Sequence, residues 1–588
     1  MPDKLNMHVE KTMTTVDHYE FEPIKGYPML RWAGKRPFRS TQFFPAQLRE
    51  NYGEPIKDWM NQIFWGDNLQ VMSHLLKEYR GKIQLIYIDP PFDSKADYKK
   101  KISLRGKKIT NDHTSFEEKQ YTDIWSNDEY LQFIYERLIL VKELLAPTGG
   151  VFLHCDWHKS HYLRLILDEV FGQENFVNEI IWFYPSGSDP SKCFNRKHDN
   201  IFWYARSKSE YFYNFDAVAI PYTEDQARRF KEIDENGKRF YWNVNPRGER
   251  VRTYMKSGIG EYDVWNIGID ATSIKNINYP TTKPEKVLER IIKAASNYGD
   301  IVFDCFMGSG TTQVVAMKLG RRFIGADINL GAIQTSTKRL IGVAKELVQE
   351  ISVPGEEKFT GFSVYNVNNY DVFRNPVEAK DLLIKALEVQ PLPGNTLFDG
   401  EKDGRFVKLM PVNRIATRAD LNILITNFDY KAFEKAAIDN PGRAVIELTL
   451  VCMGHEPDLA AALQEQVKYK LDIEIVDILR DKSALEFKRD SEAEIVRENG
   501  KLIIKQFYPL NLLQKLSLQK ETVGEWRELV ESVMIDFNYD GGVFEPTLLD
   551  IPEKDEFVSG KYEIPSGAGT IRIKITDLLS ESLEMEVK

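Results

Sequence analysis

Cysteine is scarce in this 588-residue chain. Cys155, Cys193, Cys305 and Cys452 lie far apart and show no CxxC spacing, which excludes a disulfide framework and a cysteine-built zinc site and leaves reduced thiols with packing roles. Long apolar runs are missing too. No stretch approaches the roughly eighteen residues of a membrane span, and the opening MPDKLNMHVEKTMTTVDHYE lacks the apolar segment of a signal peptide. The expectation is a cytoplasmic protein with no membrane partner. Internal repeats and low-complexity linkers are absent, so domain boundaries have to come from changes of pattern. An excess of positive charge is lacking as well. The net charge of −10 argues against a nucleic-acid partner until it is located: residues 1–350 carry +3 and residues 351–588 carry −13.

What is present is ample core material, with 42% hydrophobic residues, on a chain too long for one hydrophobic core. In the near-neutral front part, Lys95, Lys99, Lys100, Lys101, Arg105, Lys107 and Lys108 form a run opposed only by Asp97, and such a run can meet phosphates. It follows IQLIYID, residues 83–89, an apolar β-branched segment closed by Pro90 and Pro91. That pattern predicts a buried parallel strand with a loop at its carboxyl end. A helix near Asn127–Leu145, a strand near Gly150–Cys155, a helix near His158–Phe171 and strands at Val177–Tyr184 and Asn200–Ala205 follow. Strands alternating with helices predict a doubly wound α/β sheet.

A second α/β block starts near Pro280. TKPEKVLERIIKAASN reads as an amphipathic helix, Asp300–Phe306 as a strand, Met307-Gly308-Ser309-Gly310 as a turn, and Thr311–Leu319 as a helix. The next strand, Arg322–Ile328, brings Asp327 to about twenty residues beyond the glycines, where an acid can accept both hydroxyl hydrogens of a ribose. The turn has no Walker lysine, and Gln313 stands where a dinucleotide fingerprint needs a third small residue. Both absences argue against an ATPase or a dehydrogenase. A GxG turn can also be a plain strand–helix corner; Asp304 before it and Asp327 after it favour a ligand site.

Asp89-Pro90-Pro91-Phe92 and the later DCFMGSGTT together resemble the paired motifs of amino-group DNA methyltransferases. Their order, with the Asp-Pro-Pro-Phe motif first, resembles the circularly permuted β class, whose target-recognition region lies between the two. Gly66-Asp67-Asn68 resembles the segment beside the cofactor's adenine, and YPTTKPEKVLERII resembles the element that borders its methionine moiety, which brings in Lys283. NYPTTKPEKVLERIIKAASNYGDIVFDCFMGSGTT particularly resembles modification subunits of type III restriction systems and their solitary relatives. The resemblance implies a Rossmann-like α/β domain binding S-adenosylmethionine through Asp67, Asn68, Lys283, Asp304, Phe306, Gly308, Ser309, Gly310, Thr311 and Asp327, with no metal. It also implies the roles at the catalytic motif. Asp89 and the Pro90 carbonyl accept the two hydrogens of an adenine N6 amine, Pro91 stiffens the loop, and Phe92 stacks on the extruded base. Asp in the first position favours adenine over the N4 of cytosine. A DNA-recognition protein with a degenerate cofactor pocket stays open as an alternative, disfavoured because Asp89, Phe92, Asp304 and Asp327 are all present.

His154, Cys155, His158 and His161 invite a metal site, but a strand-to-helix change among them sends their side chains apart, and structural histidines are the expectation. Duplex DNA is the expected partner, contacted by Lys99, Lys100, Lys101 and Arg105 and, in an aromatic-rich region, by Arg247, Arg250 and Arg252. The division expected is an extension (1–60), a catalytic half (61–205), a target-recognition region (206–278), a cofactor half (279–350), an α/β domain (351–510) and a small β-rich module (511–588). The acidity of the last two disfavours DNA wrapping and points to docking on a restriction/translocase subunit or to a homodimer.

Overall fold

The computed structural model describes residues 18–20, 29–32, 34–91, 97–103, 115–122, 127–185, 192–269, 282–349, 357–367, 397–411, 415–439, 441–456, 458–477, 491–510, 523–553 and 556–587, with isolated positions within 380–392 and 512–516. Its centre is a ten-stranded sheet. In chain order the strands used below are β1 (Ala46–Tyr52), β2 (Asn61–Trp65), β3 (Ile83–Ile88), β4 (Leu145–Cys155), β5 (Phe176–Phe183), β6 (His198–Ala205), β7 (Val264–Asn266), β8 (Ile301–Asp304), β9 (Arg322–Asp327) and β10 (Phe362–Val367). Across the sheet they run β7-β5-β6-β4-β3-β8-β9-β2-β10-β1. From β4 to β10 every neighbouring pair is parallel. The strands that follow residue 300, β8 and β9, are inserted between β3 and β2, which come early in the chain. The order of motifs in the sequence is therefore undone in space, as a permuted doubly wound fold requires.

Alternation along each strand divides the apolar residues between two cores. On β3, Ile86 and Ile88 face one cluster with Phe303 and Ile324, while Leu85 and Tyr87 face the other with Val302 and Phe323. The first cluster is roofed by helices α1 (Asn68–Tyr79), α2 (Asn127–Leu144) and α3 (Ser160–Phe171), the second by α4 (Glu285–Ala295), α5 (Thr311–Lys318) and α6 (Leu330–Gln349). The predicted amphipathic helix is α4. Val287, Leu288, Ile291, Ile292 and Ala295 are its buried stripe, and each of the larger four is worth about 1.5–3 kcal/mol of transfer on full burial.

The main sheet reaches past both edges expected from sequence. Tyr52 and its neighbours on β1, from the supposed extension, and Phe362–Val367, from the supposed α/β domain, are strands of the same sheet. Short strands of this kind carry no signature of which sheet they join. The segment expected to recognise the target contributes its own three-stranded sheet, Glu232–Ile233, Arg239–Val244 and Arg250–Tyr254, and then β7, which rejoins the main sheet at its edge. An α/β unit at 400–477 has three parallel strands, Arg405–Leu409, Ile446–Cys452 and Leu471–Asp477.

The β-rich module is larger than expected. Leu502, Ile504 and Phe507, read as part of the preceding domain, share a core with Val533, Ile535, Ile573 and Ile575. Its inner face packs on the central domain, where Met534 and Phe544 join the second core and Gln334 donates to Ser582 at 2.9 Å. No helix among the described residues is long and apolar enough to cross a membrane.

Candidate active site

Four adjacent parallel strands, β3, β8, β9 and β2, present their carboxyl ends along one edge, and the two sequence motifs meet there. The registers pair Asp304 with Tyr87, Asp304 with Gly325, and Asp327 with Trp65, so Asp89, Asp304, Asp327 and the Gly66–Asn68 turn stand side by side. Phe92 and Arg105 lie outside the described residues, as do the side chains of Lys99, Lys100 and Lys101. The backbone of those three lysines forms a strand, Asp97–Ser103, paired with Ser115–Thr122.

Asp89 directly follows β3 and lies two positions beyond Tyr87, hence on the α4 side of the sheet. Pro90 behind it is buried and Pro91 is half-buried. Lys283, two residues ahead of α4, donates from Nζ to Asp89 Oδ2 at 2.5 Å. The other oxygen, Oδ1, is buried and accepts no hydrogen bond among the described residues; His154 Nδ1 is 3.7 Å away. His154 is fully buried on β4, its Nδ1 against the Tyr87 hydroxyl at 2.8 Å and its Nε2 against Asp199 Oδ2 at 3.1 Å. Asp199 also accepts from the Tyr184 hydroxyl at 2.9 Å. Burial first, then the nearby Asp89, Asp304 and Asp199, push the Tyr87 phenol well above its ordinary range, so it keeps its hydrogen. Burial raises Asp199, but the His154 hydrogen bond and charge outweigh it and leave the carboxyl below its usual range. Both ring nitrogens of His154 are thereby engaged.

The glycine loop is built from both its ends. Asp304, buried at the end of β8, accepts from Phe306 N at 2.9 Å and from the Thr312 hydroxyl at 2.6 Å. Desolvation, helped by Asp89 and Asp327, nevertheless pushes its carboxyl up to about 7. Gly310 has φ +74°, and a Cβ there would stand 2.7 Å from Ser336 Oγ, so the position demands glycine twice over. From α6, Ser336 donates to Gly308 O at 2.9 Å and Arg339 to Ser309 O at 2.6 Å and Thr311 Oγ1 at 3.2 Å. Thr282 reaches Ser309 Oγ at 3.2 Å. Phe306 packs tilted against Phe133, with ring centroids 6.0 Å apart.

Asp327 is half-buried, and burial raises its carboxyl to about 6 although Gly308 N and Asn329 N donate to it at 2.9 and 2.8 Å. Each oxygen retains a lone pair for a hydroxyl donor. Asp67 and Asn68 are turned to local work. Asp67 caps α1 through Leu69 N and pairs with Arg137 at 3.2 Å, while Asn68 donates to Cys305 O at 3.1 Å. Together they fasten the β2 turn to the loop after β8.

Arg247, Arg250 and Arg252 belong to the three-stranded sheet. Arg250 and Arg252 lie 5.0 and 5.6 Å from the exposed Trp242 ring, and Arg247 sits in the turn between their strands. The clustered histidines do separate: His158 pairs with Asp156 at 2.6 Å and His161 tilts on Tyr162, and no group of His, Cys, Asp and Glu among the described residues could hold a metal. His154, read from sequence as structural, faces Asp89. Its signal lay in the register of parallel strands, because Ile88 pairs with Leu153 and the next residues are Asp89 and His154.

A permuted doubly wound sheet with both acidic motifs on one carboxyl edge is the architecture of an α/β methyltransferase. Residues 83–338 match the model of the N6/N4 family described as DNA methylase. Among curated relatives, the type II methyltransferase M1.MboII of Moraxella bovis is 33% identical over 259 residues, covering 42% of this chain and 85% of that protein. The type II methyltransferase M.EcaI of Enterobacter cloacae is 27% identical, over 56% of this chain and 82% of its own length. The EcoP15I Mod subunit of an Escherichia coli type III restriction-modification enzyme is 26% identical, over 47% of this chain and 48% of its own. The chain belongs to this family and is a DNA methyltransferase.

Proposed function

We propose that the chain methylates the N6 amine of an adenine extruded from duplex DNA, with S-adenosylmethionine as donor. The observation that carries this reading is the convergence of Asp89 with the Asp304–Thr311 loop on one strand edge. The residues present suit the cofactor. Asp327 has free lone pairs for ribose hydroxyls, and Gly308 and Gly310, with φ +51° and +74°, turn the loop tightly at the start of α5. When bound, S-adenosylmethionine supplies a methyl group on a positively charged sulfur.

An exocyclic amine shares its lone pair with the ring, so acceptors must draw that pair back onto nitrogen. The Asp89 carboxylate and the Pro90 carbonyl do so by accepting the two N–H hydrogens, and the excess proton leaves to water. Phe92 is assigned the stacking role on the extruded base. Arg247, Arg250 and Arg252, with the lysines at 99–101, are assigned to phosphate and base-edge contact, Arg250 and Arg252 beside Trp242 on an exposed ribbon suited to a groove. The acidic residues beyond 367 are read as a docking part for a restriction/translocase subunit or a second copy. Size-exclusion chromatography giving a monomer, alone and with the neighbouring gene product, overturns that part.

Single-molecule sequencing of genomic DNA from a methylation-free host expressing the chain tests the main reading. N6-methyladenine in one sequence context is expected. N4-methylcytosine would change the base and keep the chemistry, and unmodified DNA despite folded protein sinks the reading.

A further inference from the structure

We propose that Lys283 is a positioning residue for methyl transfer, whose ammonium holds the Asp89 carboxylate in place until the target amine takes over its site on Oδ2. The inference rests on the reading of Asp89 as the amine acceptor and goes on to say what keeps that acceptor ready. The Lys283 side chain is only 12% exposed and Asp89 only 17%, so the pair is shielded from solvent and salt. An ammonium offers three N–H donors and no acceptor. It therefore makes toward Oδ2 the kind of contact that an exocyclic amine makes with its two.

The surroundings explain why a cation is needed. Asp89 is faced by Tyr87 on its own strand, by His154 on β4 with Asp199 behind it, by the buried Asp304 on β8, and by Lys283 from the segment before α4. Lys283 brings the positive charge that meets Asp89 in this acidic surrounding. Tyr87 and Asp199 engage both nitrogens of His154, so the imidazole acts as a wall for Oδ1 instead of a donor.

The same short segment also touches the glycine loop. Thr282 Oγ1 is 3.2 Å from Ser309 Oγ, so Thr282 and Lys283 tie the loop assigned to the cofactor to the carboxylate assigned to the base. A lysine whose ammonium is bonded to Asp89 need not hold the cofactor. That separates this role from the one its motif implies.

The test uses the full chain and follows transfer of labelled methyl from S-adenosylmethionine into genomic DNA of a methylation-free host, over a range of pH. Cofactor affinity is measured by calorimetry. For Lys283→Met, kcat should fall at least about tenfold, and the acid limb of its pH profile should move up by about one unit or more. Cofactor Kd should stay within about twofold of the parent, since Lys283 is bonded to Asp89. Lys283→Arg should return the limb to its parental position. Lost cofactor affinity with an unmoved limb, or unchanged kcat and limb, overturns the proposal. Should the methionine variant fail to melt cooperatively, Lys283→Gln is read by the same criteria. Asp89→Asn is the control arm: if it stays active the acceptor reading itself fails, and if it is inactive while Lys283→Met behaves as the parent, only the Lys283 inference fails.

Discussion

Asp89 directly follows one parallel strand and Asp304 ends the next, yet the first meets a lysine ammonium and the second a hydroxyl and a peptide N–H. Asp304 is 2% exposed and its neutral partners do not offset desolvation, which is why its carboxyl rises to about 7. Asp89 has a cation on one oxygen and a buried second oxygen that accepts no hydrogen bond among the described residues. Identical side chains at neighbouring strand ends thus divide the work: one shapes the glycine loop from within, and the other, on the proposed reading, is held ready for a substrate. If the division is right, removing each should fail differently.

Asp89→Ala should show the largest effect, a fall in methylation of about a hundredfold or more, with cofactor affinity and Tm close to those of the parent. Full activity in the same methyl-transfer assay would falsify the assigned role. Asp304→Asn should act on stability first. The folded-state carboxyl titrates near 7 against an ordinary 3.8, so the folded chain holds the proton more tightly than the unfolded one. Its contribution is full below about pH 4 and is lost as pH rises through about 7. An amide cannot titrate, so the variant's stability should fall less steeply than the parent's across that window, in urea melts at several pH values. Equal slopes for the two proteins would show that the Asp304 titration is not felt.

How much of this was readable beforehand differs along the chain. IQLIYID, TKPEKVLERII and DCFMGSG carry their own periodicity and punctuation, so β3, α4 and the glycine loop were legible within about three residues. Partnership between distant segments was not. The Lys283–Asp89 bond depends on β8 and β9 being laid between β3 and β2, and His154 joins Asp89 only through register. Asp67 and Asn68 matched a motif, but their side chains are engaged by Leu69 N, Arg137 and Cys305 O, a demand of helix capping that a motif does not reveal. β1 and β10 were missed because strands of that length get their identity from their neighbours.

The three-stranded ribbon at 232–254 offers a contrast with the buried edge: its charges are exposed, so losing one should cost less and depend on salt. Arg252, 5.6 Å from Trp242 and 3.5 Å from Glu235, is the most connected of its arginines. Arg252→Ala should weaken DNA binding by about 1–3 kcal/mol if it reads a base. If it meets a phosphate, the salt slope should drop by about one unit instead. Fluorescence titrations at several salt concentrations separate the two, and unchanged affinity at every concentration would remove Arg252 from the interface.

The smallest effect is expected where the terminal module meets the central domain. Lys338 on α6 pairs with Glu531 at 2.6 Å, both side chains 20% exposed, beside the apolar contact made by Met534 and Phe544. The apolar residues carry that contact by area, while a partly solvated ion pair contributes less than about 1 kcal/mol. Glu531→Gln should therefore leave methyl transfer untouched and lower Tm by at most a few degrees, with one cooperative transition retained in calorimetry. Two separated transitions would mean that the module hangs on its ion pairs and folds apart from the sheet, and the apolar seam at Met534 and Phe544 would then be too weak to join the two units.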